Sequence, residues 1–318
     1  MKILLFHSKK FPITKEAQNI IDNEFQNHKF FTVNSRNSLF QELPDTDIFL
    51  TGVFTKEMAD ISKKLKWVNA LSAGVDNFDL ELFRKNNIIF TNSTGMHKIQ
   101  MSEYAVMSMV MLIRNMNFFM KNQYNNIWNQ EITQSQISGK TLGILGLGSI
   151  GRETARKAHF MGMKVIGINT SGINKDEFIE KVYTLKDLDT VIKNSDFLIN
   201  LLPSREETKY LLTLEKMKLM KKGAYFINMG RGSIISNDTL YEVLKDNIIS
   251  GAVCDVFETE PLSQESPLWK LENLIITPHI CGNSDTYIAK ALRVFSDNFQ
   301  NYINNEKMFN VIKSIIVL

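Results

Sequence analysis

Three glycines with the spacing G-x-G-x-x-G, Gly146, Gly148 and Gly151, follow an apolar run and precede a segment with helical spacing. In such a turn the first glycine permits a tight bend, the second lets a pyrophosphate approach the backbone, and the third lets the helix pack against the strand. The start of that helix, at Ser149 and Ile150, offers N–H groups and a partial positive charge to phosphates. The spacing therefore predicts dinucleotide binding, with an ordinary glycine-rich turn between strand and helix as the alternative.

The residues after the next predicted strand bear on the choice of dinucleotide. An NAD-specific fold places Asp or Glu about 20 residues beyond the glycine loop, where the carboxylate binds the ribose 2′-hydroxyl. This chain has Asn169 and Thr170 at that place. Asn169 does not repel a 2′-phosphate and Thr170 adds a hydroxyl donor, so the expected cofactor is NAD or NADP, with NADP favoured.

Arg231, Glu260 and His279 supply the groups that reduction of a 2-oxo acid needs, and each lies in a segment that follows an apolar run. Arg231 can bind the substrate carboxylate with parallel hydrogen bonds and polarise the ketone. His279 can donate a proton to the ketone oxygen as hydride arrives, or remove it in the reverse direction. Glu260 can bond the other ring nitrogen, orient the imidazole and favour its charged form.

Each of these three residues also has a simpler interpretation when it is taken alone. His279 could be a hydrogen-bonded loop histidine, Glu260 a solvated turn carboxylate, and Arg231 a phosphate or surface contact. Open α/β sheets bind their ligands at the carboxyl ends of the strands. Because all three residues are predicted at that edge, downstream of a dinucleotide loop, the catalytic interpretation is favoured.

The elements that must position these residues alternate between short apolar runs and segments with helical spacing. Such alternation predicts an α/β fold with parallel sheets covered by helices, and the two similar series predict two Rossmann-like domains. The predicted strands are 2–7, 30–33, 47–51, 67–71 and 88–91 in the first series, and 141–145, 164–168, 197–202, 224–228, 251–256 and 274–277 in the second. A single, mostly apolar helix is predicted over 102–120, a polar stretch over 121–138, and a last helix from about Ser284.

Composition sets the broad class of the chain. Its 318 residues are 44% hydrophobic and 22% charged, with a net charge of +3, which is the balance of a globular protein without a particular polyanionic partner. Two cysteines provide no disulfide framework and indicate a reducing compartment. The N-terminal apolar run is too short for a signal-peptide core. We therefore expect a cytoplasmic protein that binds neither nucleic acid nor membrane and holds no metal.

Taken together, these segments resemble the D-isomer-specific 2-hydroxyacid dehydrogenase family, which includes glyoxylate/hydroxypyruvate reductases. The resemblance rests on the glycine loop, Arg231 with its following glycine, Asp255-Val256 before Glu260-Pro261-Leu262, and Pro278-His279. It implies Arg231, Glu260 and His279 as the catalytic trio, with Arg231 and His279 also binding substrate. It further implies that Asp255 holds the nicotinamide carboxamide. Other cofactor contacts implied in this way are Leu202, Pro203 and Met229.

The resemblance also implies where the substrate carboxylate binds and how the domains divide. The segment 72–76 is similar to the family's carboxylate loop, in which backbone N–H groups of Ala73, Gly74 and Val75 would form an anion nest; a plain strand-end turn is the alternative. Residues 1–96 and 285–318 would form a substrate domain that is discontinuous in sequence, and 97–284 the NAD(P)-binding domain. The long apolar helix is similar to the family's dimerisation region, so a homodimer is expected.

The predicted function is an NAD(P)-dependent oxidoreductase that transfers a hydride between nicotinamide and a small D-2-hydroxy acid or its 2-oxo partner, of the glyoxylate or hydroxypyruvate type. Two alternatives remain at this point. One is a non-enzymatic, corepressor-like protein that senses NAD(P) on the same fold. The other is an enzyme for a branched or aromatic 2-oxo acid.

Overall fold

A computed structural model describes residues 1–312 of the chain. Their backbone divides into two compact units. Unit 1 comprises Met1–His97 and the described residues from Asn283 onwards, and unit 2 is Lys98–Gly282. Each unit is a parallel sheet with helices on both faces, as the alternation of the sequence predicts, so the α/β fold with two Rossmann-like domains is confirmed.

The strands and helices of the described residues are numbered here in chain order. They are β1 (Lys2–Phe6), α1 (Lys15–Glu24), β2 (Lys29–Val33), α2 (Arg36–Glu42), β3 (Ile48–Thr51), α3 (Lys56–Ile61), β4 (Trp67–Ala70), α4 (Leu80–Lys85), β5 (Ile89–Asn92), α5 (Lys98–Ile113), α6 (Met116–Tyr124), β6 (Thr141–Leu145), α7 (Ser149–Phe160), β7 (Lys164–Ile168), β8 (Lys181–Tyr183), α8 (Leu188–Asn194), β9 (Phe197–Asn200), α9 (Leu214–Met217), β10 (Tyr225–Asn228), α10 (Asn237–Lys245), β11 (Gly251–Cys254), β12 (Leu274–Ile276) and α11 (Tyr287–Ile303).

The sheet of unit 1 has the strand order β2-β1-β3-β4-β5, and its strands are paired in parallel. Successive residues of a strand point to opposite faces. In β1, Ile3 and Leu5 therefore pack with α1 and α11 on one face, whereas Leu4 packs with Phe49 and Val68 on the other. Both faces are covered, which explains why these strands read as continuous apolar runs.

The sheet of unit 2 has the order β12-β11-β10-β9-β6-β7-β8, again in parallel. The chain winds outwards from β6 in one direction through β7 and β8, and in the other through β9 to β12. Ligands of doubly wound sheets bind at the carboxyl ends of the strands beside this change of direction. The glycine loop follows β6 and so lies at the change of direction.

The structure corrects the single helix predicted over 102–120. The chain forms two helices instead, α5 and α6, separated at Asn115, whose φ of 50° lies in the left-handed region. Asparagine tolerates that conformation better than most residues because its short polar side chain bonds locally. Apolar periodicity alone continues across the break and does not reveal it.

Smaller differences concern strands of unit 2. The strands predicted to end at 202 and 256 end at Asn200 and Cys254, and β8 was not predicted. The shorter ends matter because residues 201–203 and 255–257 are then loops at the ligand-binding edge. Within residues 1–312, none of the helices combines the length and apolarity that crossing a bilayer requires.

Candidate active site

The glycine loop has the backbone geometry that a dinucleotide needs. Gly146 has φ +106°, and a Cβ atom at Gly151 would lie 2.3 Å from the carbonyl oxygen of Gly146. A Cβ atom at Gly148 would meet nothing within 4 Å. Two of the glycines are thus required by the turn and its packing, whereas Gly148 borders open space. That space, at the N-terminus of α7 where Ser149 begins the helix, suits a pyrophosphate.

Asn169 lies at the end of β7, as predicted, but its side chain is used within its own turn. Its Oδ1 accepts hydrogen bonds from the backbone N–H of Ser171 (3.0 Å) and Gly172 (2.7 Å), and its Nδ2 donates to the carbonyl of Ile173 (3.0 Å). Thr170 in the same turn is exposed. The amide of Asn169 therefore shapes the turn.

A pair of buried amides holds the loops that carry the other predicted cofactor contacts. Asn200 Nδ2 donates to Asn228 Oδ1 across 2.8 Å, at the ends of β9 and β10. The Oδ1 of Asn200 accepts from the N–H of Leu202 at 3.0 Å. Met229, which is buried, donates its N–H to the carbonyl of Asn200 at 3.1 Å. The two loops are thereby tied together beside the glycine loop.

Glu260 and His279 form a close pair. His279 Nδ1 lies 2.7 Å from Glu260 Oε2, and Glu260 Oε1 accepts the backbone N–H of Phe257 at 3.0 Å. The His279 side chain remains 54% exposed, so its ring is accessible to a ligand. With Nδ1 bound to the carboxylate, the imidazole has a fixed orientation and its Nε2 is the nitrogen for proton exchange.

Arg231 lies on the same sheet edge, after β10. It is half-buried, and its Nη1 donates to the carbonyl of Gly230 at 3.0 Å. A Cβ atom at the following Gly232 would lie only 1.9 Å from the backbone of Phe257, so the Arg231 segment packs directly on the segment that leads to Glu260. Arg231 also lies near the Cys281 thiol. Burial raises the pKa of that thiol, and the positive charge of Arg231 has a smaller, opposite effect on it.

Asp255 is fully buried at the end of β11. Its Oδ1 accepts from Thr277 Oγ1 (2.5 Å) and from the N–H of Ile280 (2.9 Å), and its Oδ2 accepts from the N–H of Cys281 (3.0 Å). The carboxylate thus binds the chain on both sides of His279. Its contact with a nicotinamide carboxamide stays a prediction.

The predicted carboxylate loop belongs to unit 1. Ser72 Oγ donates to the carbonyl of Gly74 at 2.7 Å, and Asn92 Nδ2 donates to the carbonyl of Ala73 at 2.6 Å. No atom of residues 1–312 accepts a hydrogen bond from the N–H of Gly74 or Val75. With the carbonyls held, these two N–H groups are available to an anion, as an anion nest requires.

Unit 2 therefore brings together the glycine loop, Asn169, Arg231, Asp255 and the Glu260–His279 pair. The sequence reasoning missed the polar residues that hold this arrangement in place. They include Asn200, Asn228 and Thr277 in unit 2 and Asn92 in unit 1. Asn228 and Thr277 end predicted strands and Asn92 follows one, and that position was the available signal. Asn200 gave no such signal, because its strand was predicted to continue to 202.

A comparison with family profiles decides the classification. Residues 106–281, more than half of the chain, match the profile described as D-isomer specific 2-hydroxyacid dehydrogenase, NAD binding domain. The chain belongs to the D-isomer specific 2-hydroxyacid dehydrogenase family. The family resemblance inferred from the motifs is confirmed.

Three proteins that are similar to this chain are named as reductases or dehydrogenases, in agreement with this family. A glyoxylate reductase of Thermofilum pendens is 31% identical over 78% of this chain and 76% of its own length. A hydroxypyruvate reductase of Thermotoga maritima is 30% identical over 85% of this chain and 89% of its own length. A D-3-phosphoglycerate dehydrogenase of Methanocaldococcus jannaschii is 28% identical over 95% of this chain, which spans 58% of that relative's length.

A solved structure has a similar fold. A D-isomer specific 2-hydroxyacid dehydrogenase family protein from Aeromonas salmonicida superposes with a TM-score of 0.85 and 27% identity, covering 98% of this chain and 99% of that one. The prediction of an NAD(P)-linked oxidoreductase that acts on the CH–OH group of 2-hydroxy acids is confirmed at the level of the family. The corepressor-like alternative is not favoured, because these relatives are named as enzymes.

Proposed function

We propose that this member of the 2-hydroxyacid dehydrogenase family reduces a small 2-oxo acid of the glyoxylate or hydroxypyruvate type to its D-2-hydroxy acid, and runs the reverse reaction. The observation that carries the proposal is the pair of His279 Nδ1 and Glu260 Oε2, 2.7 Å apart, at the same sheet edge as the glycine loop. The pair provides an oriented proton donor beside a cofactor loop.

The proposed roles of the side chains follow from their contacts. When bound, the nicotinamide supplies or accepts the hydride. His279 Nε2 gives a proton to the ketone oxygen during reduction and takes it from the alcohol during oxidation. Glu260 holds Nδ1 and stabilises the imidazolium. Arg231 binds the substrate carboxylate and polarises the ketone.

For the loop of unit 1, we propose that the N–H groups of Ala73, Gly74 and Val75 form an anion nest of the kind that binds a carboxylate. Relatives named as glyoxylate and hydroxypyruvate reductases support a small substrate. The discriminating experiment is a panel of 2-oxo acids, from glyoxylate and hydroxypyruvate to branched and aromatic acids, with each nicotinamide. Highest kcat/KM for a branched or aromatic acid would refute the small-substrate proposal.

For the cofactor, we propose that NADPH is used at least as well as NADH. The first acid after β7 is Asp176, and its Oδ1 is paired with Arg152 Nη2 at 2.8 Å. The turn that begins at Asn169 therefore presents no carboxylate to repel a 2′-phosphate. Asn169→Asp should favour NADH, because it puts a negative charge into that turn. A tenfold higher wild-type kcat/KM for NADH would contradict the proposal.

We also propose a homodimer located in the cytoplasm. Support for the dimer comes from apolar side chains exposed on α5 and α6, among them Met107, Val110, Met116 and Met120. Support for the location comes from Cys254 and Cys281, both of which are free and buried. Sedimentation of the purified protein as a monomer at micromolar concentration would refute the dimer.

A further inference from the structure

A chain of side-chain hydrogen bonds runs from α5 to the segment that carries His279. The hydroxyl of Tyr104 lies 2.5 Å from Thr277 Oγ1, and Thr277 Oγ1 lies 2.5 Å from Asp255 Oδ1. An ionised carboxylate only accepts hydrogen bonds, so Thr277 donates to Asp255. The single hydroxyl proton of Thr277 is then used, and Tyr104 must be the donor to Thr277.

The protonation of Tyr104 agrees with this direction. Burial raises the pKa of its phenol, with a smaller opposing effect from the Thr277 contact. The phenol therefore keeps its proton across the pH range in which an enzyme is assayed, and it is a permanent donor. Donors linked in series strengthen one another, so the bond from Tyr104 strengthens the bond from Thr277 to Asp255.

The Asp255 carboxylate, which ends this series of hydrogen bonds, binds residues on both sides of His279. Thr277 lies two residues before His279, while the N–H groups of Ile280 and Cys281 after it also bond to the Asp255 carboxylate. The N–H of His279 itself donates to the carbonyl of Asp255 at 2.8 Å. These bonds hold His279 at φ 53°, a left-handed conformation that is uncommon for residues other than glycine.

We propose that Tyr104 and Thr277 are positioning residues for His279, acting through Asp255. The hydroxyl chain fixes the conformation of residues 277–281 and with it the direction of the imidazole towards Glu260. The inference deepens the proposed function, because it rests on His279 as the proton donor. The effect on the ring itself can be measured without any substrate, which separates the two claims.

The first experiment is NMR of the 318-residue chain labelled with ¹⁵N-histidine, which has five histidines. His279→Ala assigns the His279 ring signals by their loss. Tyr104→Phe and Thr277→Val should shift those signals, whereas Thr277→Ser, which keeps the hydroxyl, should restore them. Tyr225→Phe is the matched control, since it removes the hydroxyl of another half-buried tyrosine of unit 2. Unchanged His279 signals in Tyr104→Phe would overturn the proposal.

The second experiment is a double-mutant cycle on turnover. Tyr104→Phe should lower kcat about three- to tenfold, the scale of one hydrogen bond, with the Kd of NADPH within twofold of wild type. In the Thr277→Val background the same change should have less than a twofold effect, because the link is already broken. Independent, multiplying effects would overturn the proposal. Shifted His279 signals in a protein that reduces no 2-oxo acid would instead refute the proposed function alone.

Discussion

At the scale of single residues, Glu260 uses its two carboxylate oxygens for different contacts. Oε1 accepts the backbone N–H of Phe257, and Oε2 faces His279 Nδ1. The backbone contact fixes the carboxylate, so the imidazole meets a group that is already oriented. Glu258, two residues earlier, has a different use, since its oxygens accept from the Tyr210 hydroxyl and the N–H of Asn237.

Glu260→Gln should lower kcat about tenfold or more in both directions of the reaction. Glutamine keeps the shape of the side chain but removes the negative charge that faces His279 Nδ1, so the imidazolium that takes part in proton transfer loses its charged partner. Glu258→Gln is the control and should leave kcat near the wild-type value, because Glu258 bonds to Tyr210 and Asn237 instead. A kcat within twofold of wild type in Glu260→Gln would remove Glu260 from this role.

Arg231→Lys should lower kcat/KM by about 30- to 150-fold, equivalent to about 2–3 kcal/mol of transition-state stabilisation. Lysine keeps the charge but cannot form two parallel bonds to a carboxylate. The measurement is steady-state kinetics with the best 2-oxo acid of the panel, together with the Kd of NADPH as a control. Kinetics close to wild type would exclude Arg231 from substrate binding.

Gly148 and Gly151 should respond differently to alanine. A Cβ atom at Gly148 projects into open space, so Gly148→Ala should keep the melting temperature but raise the Kd of NADPH about tenfold by occupying the pyrophosphate position. At Gly151 the Cβ atom would meet the Gly146 carbonyl, and Gly151→Ala should destabilise the fold by about 1–3 kcal/mol. Thermal unfolding and cofactor titration separate the two effects. Unimpaired NADPH binding by Gly148→Ala would contradict the loop's proposed use.

At the scale of elements, the loop after β4 is shaped by the residue that ends β5. Asn92 donates to the Ala73 carbonyl and accepts from the N–H of Thr94, and it is buried. The neighbouring strands thus fix a loop that has no regular structure of its own. The orientation of the Gly74 and Val75 N–H groups depends on this contact.

Asn92→Ala should raise the KM for the 2-oxo acid about tenfold, because the loop loses the bond that holds the Ala73 carbonyl. The Kd of NADPH should not change. Asn298→Ala is a matched control, since Asn298 is also buried in unit 1 and bonds the carbonyl and N–H of Phe309 in the same way. Both variants should lose stability to a similar extent. An equal rise of KM in both would show that the effect is only one of stability.

At the scale of the whole molecule, each unit has its own core, and the cofactor loop belongs to unit 2. A ligand that binds only the folded protein stabilises it by RT ln(1 + [L]/Kd), where [L] is the free ligand concentration. NADPH at one hundred times its Kd should therefore add about 2.7 kcal/mol to the free energy of unfolding.

Amide hydrogen exchange, measured with and without NADPH, shows which residues the cofactor protects. Protection by NADPH should be greatest at residues 146–151 and 169–172 of unit 2, and in Gly148→Ala the same protection should need about ten times more NADPH. Protection confined to unit 1 would show that the cofactor binds elsewhere.

The sequence by itself determined the class of fold, the glycine loop and the three candidate catalytic residues. Strands buried on both faces leave continuous apolar runs, and the glycine spacing reflects local backbone requirements, so both can be recognised without the rest of the chain. The segments that contain Arg231, Glu260 and His279 could be placed at one sheet edge because parallel strands end on the same side. The break at Asn115 escaped this reasoning because apolar residues continue across it.

Only the tertiary structure decided which polar side chains hold the site together. Tyr104 and Thr277 are 173 positions apart in the chain, and their contact follows from the packing of α5 beside the sheet of unit 2. Asn169 has the predicted position but uses its amide within its own turn. A side chain's partner depends on its direction and on what long-range packing places beside it, and neither is contained in residue type or spacing.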